Sequence, residues 1–354
     1  MSDDATSIPD AVRHAYRELD GPLEVQLLSG GLLHRSLHVR SRGGEFVLQR
    51  VSDVFAPEVH ANIRAVTTHL AARGHSTPTL LATREGEPAA SLGAQGRWRL
   101  MSFLGGASFQ QLASLEQARS AGALVGRFHA ALRDFEAPLA PMGIPYRDTP
   151  GYLTAMRSGL AAHSGHRLAA RIRPLAERLL AAFDDLGPPP ANLPSRVIHG
   201  DLKLANVLFE SAEGAGRDRA LALIDLDTLM RAPLWMDLGD AWRSWCNPSG
   251  EEDNGPRFDM EAFEASYRGF VAGFGVPLSS AERESLVTAA ERITLELCSR
   301  FVTDALEESY FAWDEAHYPA PGEHNAARAE GQWRLYEAQC TTREARAALL
   351  RAEI

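Results

Sequence analysis

Thirteen residues in the second half of the chain, Val197–Phe209 (VIHGDLKLANVLF), constrain its folding more than any other stretch. Val197 and Ile198 read as the end of a short buried strand, His199-Gly200-Asp201 as a turn, and Val207-Leu208-Phe209 as the next strand. A strand, loop and strand this short hold the intervening residues on one rim, and among them are an acid, Asp201, and an amide, Asn206, five positions apart. Nineteen residues beyond Asn206 lies Asp225, within Leu221–Asp227 (LALIDLD). A continuous apolar run that ends in acids is a buried strand delivering carboxylates to its open end.

The spacing has a chemical reading. In the protein-kinase catalytic loop H-R-D-x-x-x-x-N the Asp accepts the proton of the substrate hydroxyl and the Asn holds Mg²⁺; this chain has HGD-x-x-x-x-N. A carboxylate must face the attacking oxygen while a second oxygen ligand faces the metal on the phosphates, and one short loop can present both. Asp and Asn are also ordinary turn residues, and the second acidic strand end is what tips the balance. Asp225 stands where the kinase arrangement keeps its second metal-binding Asp. Further on, Trp235–Arg243 (WMDLGDAWR) places Asp237 and Asp240 at the start of a helical pattern, where the helix dipole also favours acids.

In order, HGDxxxxNVLF, IDLDT and MDLGDAWR resemble the aminoglycoside phosphotransferase and choline kinase superfamily, whose members share the protein-kinase fold. Within it the chain is most similar to the N-acetylhexosamine 1-kinase group, through FVLQRV at 46–51, IDLDTLM at 224–230 and ITLELCSRFVTDALEESYF at 293–311. The likeness runs from about Leu28 to about Gln339. It implies an α+β, bilobal fold. An N-lobe at 1–104 would hold a small antiparallel nucleotide-binding sheet and a helix. A larger, mainly helical C-lobe at 105–354 would hold the catalytic loop, metal site and acceptor pocket.

The chain ahead of the loop suits such an N-lobe. Strand patterns at Leu23–Leu28, Ser36–Val39 and Glu45–Val51 are joined by turns at Ser29-Gly30-Gly31 and Ser41–Gly44. Taken alone Gly30 and Gly31 read as a plain hairpin turn; in this kinase-like context they read as the loop whose backbone N–H groups approach ATP phosphates. On the third strand protein kinases carry a Lys that pairs the phosphates with a helical Glu, whereas this chain has Gln49 with Arg50 beside it and Glu58 at the start of the next helix. Neighbouring side chains on a strand face opposite ways, so only one of Gln49 and Arg50 reaches the phosphates; the resemblance favours Gln49. Pro78–Ala82 and Gly96–Met101 read as the last strands and Ser102–Gly106 as the hinge. By resemblance Met101 is the gatekeeper, and Ser102 C=O and Leu104 N–H face adenine.

Helical patterns take over beyond the hinge, at Leu115–Phe135, Thr149–Ala162, Arg167–Leu186, Met260–Phe274, Ser280–Cys298, Arg300–Glu308 and Ala326–Ile354. The resemblance puts Arg300 and Tyr310 on the acceptor sugar, Asp227 and Thr228 beside them, Asp237 under the catalytic loop, and Asn206 and Asp225 on Mg²⁺. It implies ATP-dependent transfer to the anomeric hydroxyl of a hexose or N-acetylhexosamine, with Asp201 orienting the acceptor hydroxyl and taking its proton. Aminoglycoside, choline and homoserine phosphotransfer are the alternatives in the same superfamily, and a kinase-fold binding module is the one outside catalysis, motivated by Gln49.

Composition excludes other classes. At 354 residues, 45% hydrophobic and 23% charged, the chain can bury a sizeable core, and a net charge of −10 is the wrong sign for a nucleic-acid or anionic-membrane partner. The three cysteines, Cys246, Cys298 and Cys340, have no metal-ligand spacing. No signal peptide or membrane-length apolar run is present, so a cytoplasmic protein acting on a small molecule is expected.

Overall fold

The protein is described by a computed structural model that covers residues 6–28, 34–249, 255 and 257–352; the expected glycine turn with Gly30 and Gly31 lies outside them. A short helix α1 (Asp10–Ala15) precedes strands β1 (Glu24–Leu28), β2 (Arg35–Ser41) and β3 (Gly44–Val51). After helix α2 (Val59–Ala71) come β4 (Leu80–Leu81), β5 (Ala90–Ser91) and β6 (Arg97–Ser102). These strands form one antiparallel sheet in the order β1-β2-β3-β6-β4, with β5 against β6.

Alternation along each strand decides what the sheet shows to either side. Leu37, Val39, Leu48, Trp98 and Leu100 point into a core closed by Val12, Tyr16 and Leu19, with the Tyr16 hydroxyl donating to the Trp98 carbonyl at 2.9 Å. The opposite face carries Ser36, Gln49 and Arg99, which the register places side by side.

The chain then becomes helical: α3 (Leu115–Ala131), α4 (Thr149–Ala162) and α5 (Ala169–Leu186) lead into β7 (Ser195–Ile198), β8 (Val207–Phe209), β9 (Ala220–Leu223) and β10 (Met230–Pro233). Helices α6 (Leu234–Trp245), α7 (Met260–Phe274), α8 (Ser280–Val287), α9 (Ala289–Glu307), α10 (Pro321–Thr341) and α11 (Arg343–Arg351) complete it. Helix α8 starts with a reciprocal cap: Ser279 Oγ accepts the Glu282 N–H and the Glu282 carboxylate accepts the Ser279 N–H.

Several helix boundaries differ from the sequence reading: α3 stops at Ala131, short of Phe135, and α5 starts at Ala169, not Arg167. The break expected near Ser299 falls at Thr288, and α9 runs through Ser299, whose hydroxyl bonds back to the Glu296 carbonyl at 2.7 Å. The last helix begins at Pro321, earlier than expected, because proline's missing N–H costs nothing in a first turn; it breaks at Thr342.

Helices α3 and α7 pack at backbone distance along Gly122, Gly126, Gly269 and Gly273. A Cβ on Gly122 would lie 2.0 Å from the Ser266 carbonyl oxygen, and one on Gly269 2.0 Å from that of Arg119. Backbone cannot rotate aside as a side chain can, so Gly269→Ala should cost ~1–3 kcal/mol or more as an overpacked contact. Thermal unfolding reads this as a lowered midpoint; an unchanged midpoint would show that the two helices separate freely. Among the described residues no helix is long and apolar enough to cross a membrane.

Candidate active site

Two antiparallel pairs build the rim of the candidate site. β7 pairs with β10 and β8 with β9, Ile198 opposite Met230 and Val207 opposite Leu223. The turn between β7 and β8 carries Asp201 and Asn206, and the turn between β9 and β10 carries Asp225, Asp227 and Thr228. The Ile224 N–H donates to the Asn206 carbonyl at 3.0 Å, so the two turns are stitched together.

The polar groups of the His199-Gly200-Asp201 turn are held from several directions. Asp237, fully buried in α6, accepts the N–H groups of His199 (2.8 Å) and Gly200 (2.7 Å), the bracing expected of it. His199 Nε2 faces the Ile224 carbonyl at 2.9 Å while Nδ1 accepts the Asp201 N–H at 3.3 Å, which requires the neutral ring with its proton on Nε2. The Thr228 hydroxyl donates to the His199 carbonyl, and Arg147 donates twice to that of Gly200, at 3.0 and 2.6 Å. Gly200 has φ +86°, and a Cβ there would sit 2.6 Å from the Thr228 carbonyl oxygen, so only glycine fits.

This scaffold presents the Asp201 carboxylate to Lys203 Nζ at 3.0 Å and to Asn206 Nδ2 at 2.9 Å. Burial alone would raise its pKa; the Lys203 cation outweighs burial and holds the carboxyl at about 2. Lys203 is shifted upward in turn, with burial opposed by Asp201 and Asp225.

Asn206 spends Nδ2 on the Asp201 carbonyl and carboxylate, which leaves Oδ1 without a protein partner among the described residues. Asp225 sits in the left-handed region at φ +64°, ψ +57°, exposed, its carboxylate without a hydrogen bond or ion pair among the described residues. The protein crowded around it and the nearby charge of Asp227 raise its pKa. An unpaired carboxylate beside other acids, with an amide oxygen free, suits a hard divalent cation such as Mg²⁺.

Asp227 does not join that set. Its ligand atoms lie within 4.8 Å of those of His34 and Asp225, but both its oxygens are taken by the Arg99 guanidinium at 2.7 Å each and one also by His34 Nε2 at 3.1 Å. Asp227 is 2% exposed. Asp227 and Thr228, expected at the acceptor, are therefore turned inward: the first onto the sheet, the second onto the catalytic turn.

On the opposite wall Gln49 is on the cleft face and Arg50 on the other, as alternation requires. Its amide is engaged at both ends, Nε2 donating to Ser36 Oγ and Oε1 accepting from Arg99 Nε, each at 2.8 Å. Glu58 is exposed and forms no ion pair among the described residues. Met101 lies opposite Val47 on this face, the Ser102 N–H bonds the Thr79 carbonyl at 3.0 Å, and the Leu104 N–H has no acceptor among the described residues.

Arg300, on α9, makes no hydrogen bond or ion pair among the described residues and is ringed by aromatics. Its guanidinium carbon is 5.8 Å from the ring centre of Tyr146, 5.2 Å from Tyr152, 5.4 Å from Tyr310 and 5.3 Å from Phe311. Asp304 shapes this box by accepting the N–H groups of Ser309, Tyr310 and Phe311 at 2.8–2.9 Å. Tyr146 also has the Arg147 guanidinium carbon 5.1 Å from its ring centre, and Arg147 holds the Gly200 carbonyl, so the box adjoins the turn that carries Asp201.

Sequence reasoning passed over several of these residues. Lys203 was legible as the one cation inside the HGDLKLAN loop, and Arg99 as a charge between buried strand positions. Tyr146, Arg147 and Tyr152 carry no local signal.

Comparison with known proteins places this geometry. Residues 24–272, over two thirds of the chain, match the phosphotransferase enzyme family (APH). The homoserine kinase of Methylobacterium sp. (strain 4-46) is 26% identical over 306 residues, 85% of this chain and 88% of that one. A microcompartment-associated aminopropanol kinase superposes with a TM-score of 0.60 at 19% identity, covering 94% of this chain and 97% of its own. An amicoumacin kinase solved with AMP-PNP and Ca²⁺ gives 0.60 at 12% identity, covering 93% and 91%. The sheet followed by helices is thus the α+β protein-kinase-like fold, and with the family match running from β1 through the catalytic turn and the Asp225 turn into α7, the chain belongs to the phosphotransferase enzyme family.

Proposed function

We propose that the protein is an ATP-dependent, Mg²⁺-assisted kinase that phosphorylates a hydroxyl of a small uncharged acceptor, most specifically the anomeric 1-OH of a hexose or N-acetylhexosamine. The observation that carries this is Arg300: a guanidinium with no ionic partner among the described residues, in an aromatic box that Tyr146 and Arg147 join to the Gly200-Asp201 turn. Aromatic faces suit the C–H face of a sugar ring, and guanidinium N–H groups suit its hydroxyls. A polycationic aminoglycoside or choline would meet a like charge there.

Asp201 accepts the acceptor hydroxyl's hydrogen bond and aims its oxygen at the γ-phosphorus. With a pKa of about 2 it is a weak base, suited to an anomeric hydroxyl, which is more acidic than an ordinary alcohol and gives up its proton late. Lys203, 3.0 Å from Asp201, is placed to meet a phosphate oxygen. Asn206 Oδ1 and Asp225 would hold the metal, which neutralises charge developing on the phosphates when bound. The nucleotide lies against the sheet face of Val47 and Met101, and the division between the lobes falls at 104/105.

A second reading rests on the same cation and on the homoserine kinase relatives: the carboxylate of a hydroxy amino acid would pair with Arg300. A screen with ATP and Mg²⁺ across hexoses, N-acetylhexosamines, homoserine, choline and kanamycin separates them. Arg300→Ala should raise the sugar KM roughly tenfold or more, the ~1–3 kcal/mol of unpaired hydroxyls, with the KM for ATP unchanged. A 1-methyl glycoside should be inert. Turnover of homoserine alone, or phosphate on a carbon other than C1, would overturn the sugar 1-kinase reading.

A further inference from the structure

Protein kinases anchor the nucleotide with a Lys on the third strand, paired to a Glu of the following helix. Neither half is present here. Gln49 stands on β3, and Glu58 is exposed at the start of α2 with no ion pair among the described residues. The charge has moved one strand over. Arg99, opposite Gln49 in the register, is 1% exposed and donates Nε to Gln49 Oε1 at 2.8 Å. Its other edge meets Asp227 fork to fork, at 2.7 Å on both arms. The partner acid is therefore not on a helix of the sheet lobe but on the turn that carries Asp225.

That turn needs external support. Asp225 is held at φ +64°, a conformation that costs a non-glycine residue free energy and persists only where its surroundings enforce it. Thr228 ties the far end of the turn to the His199 carbonyl at 2.7 Å. Asp227, two residues after Asp225, ties the near end to the sheet through Arg99, and to His34 at 3.1 Å. A bidentate Arg–carboxylate pair fixes orientation as well as distance.

We infer that Arg99 is a positioning residue which, oriented by Gln49 and docked onto Asp227, holds the Asp225 turn in its metal-facing conformation and so sets the divalent-metal affinity of the site. The pair also neutralises Asp227, leaving Asp225 as the open carboxylate of the turn. This inference rests on the reading of Asp225 as a metal ligand. It makes Arg99 a link between the sheet and the metal turn, where a phosphate-contacting Lys would link the sheet to the nucleotide.

The test is calorimetric titration of ADP into the full-length protein, without acceptor, over a series of Mg²⁺ concentrations. Arg99→Lys keeps the charge but loses the fork. The double variant Arg99→Gln/Asp227→Asn removes both charges together and leaves no unpaired buried ion, so it decides the matter should Arg99→Lys fail to fold. Either variant should raise the Mg²⁺ concentration for half-maximal tightening of ADP binding by roughly 10–100-fold, the usual cost of losing a residue that orients a metal ligand. ADP affinity at saturating Mg²⁺ should stay near wild type. Asp225→Asn is the control. If it shifts the Mg²⁺ dependence while the folded Arg99 variants do not, Arg99 is only structural and the inference falls alone. If Asp225→Asn leaves the dependence unchanged, the ligand reading falls and takes this inference with it. A loss of ADP affinity that saturating Mg²⁺ does not restore would make Arg99 a nucleotide contact instead.

Discussion

Asp201→Asn should lower kcat by roughly 10²–10⁴-fold, the range of a lost general base, while the protein stays folded and ADP binding changes little. The asparagine is the same size, and its carbonyl oxygen can still accept the hydrogen bond that Asn206 Nδ2 gives to Asp201 at 2.9 Å. The backbone bonds from His199 and Gly200 to Asp237 do not involve the side chain at all. What the substitution removes is the negative charge that aims the acceptor hydroxyl and receives its proton. It also frees Lys203, 3.0 Å away, from its counter-ion, which leaves a cation for nucleotide phosphate and argues against a weakened ATP KM. Steady-state kinetics with calorimetry of ADP checks both halves. Near-wild-type turnover in the folded variant would remove Asp201 from the reaction.

The second large effect is on stability. Arg147 is 5% exposed at its side chain and pairs with Asp240 at 3.1 Å and Glu296 at 3.2 Å, whose side chains are 3% and 2% exposed. It also donates twice to the Gly200 carbonyl, one residue before Asp201. Its own backbone sits at φ +53°, a strained position for arginine. Arg147→Met keeps the bulk and removes the charge. Asp240 retains Arg243 at 3.1 Å, but among the described residues the Glu296 carboxylate keeps only the Thr149 hydroxyl at 2.5 Å. Removing one partner of a buried ion pair costs ~3–5 kcal/mol, and urea unfolding should show a loss of that order. Because the Gly200 carbonyl loses both donors as well, kcat should fall in whatever protein remains folded. A stability change under ~1 kcal/mol, the scale of an exposed pair, would mean that water replaces the guanidinium and that the clamp is dispensable.

The two predictions also mark where local reading stops. The apolar runs at Val197–Ile198, Val207–Phe209 and Leu221–Ile224 are short and continuous, and each becomes all or part of a strand, so the strand ends that carry Asp201 and Asp225 were legible before any coordinate, and the kinase-like spacing implied that the two turns meet. Alternation on β3 likewise assigned Gln49 to one face and Arg50 to the other. The paired glycines of α3 and α7, by contrast, acquire meaning only when the helices touch. Local period reports which face of an element is buried, because the same chain both makes the pattern and turns it inward.

Pairing between distant stretches is another matter. Arg99 meets Asp227 across 128 positions, Arg147 meets Glu296 across 149, and Arg300 gathers Tyr146, Tyr152, Tyr310 and Phe311 from two separate stretches. Nothing in the neighbourhood of Asp227 distinguishes a carboxylate that will reach an acceptor from one that will be locked to a strand. The sequence by itself determined the order of elements and the acid and amide on the catalytic rim, since these follow from periodicity and spacing. Only the tertiary structure decided which charges neutralise one another and which stay open, because a buried ion is tolerated only where packing brings its partner within hydrogen-bond distance.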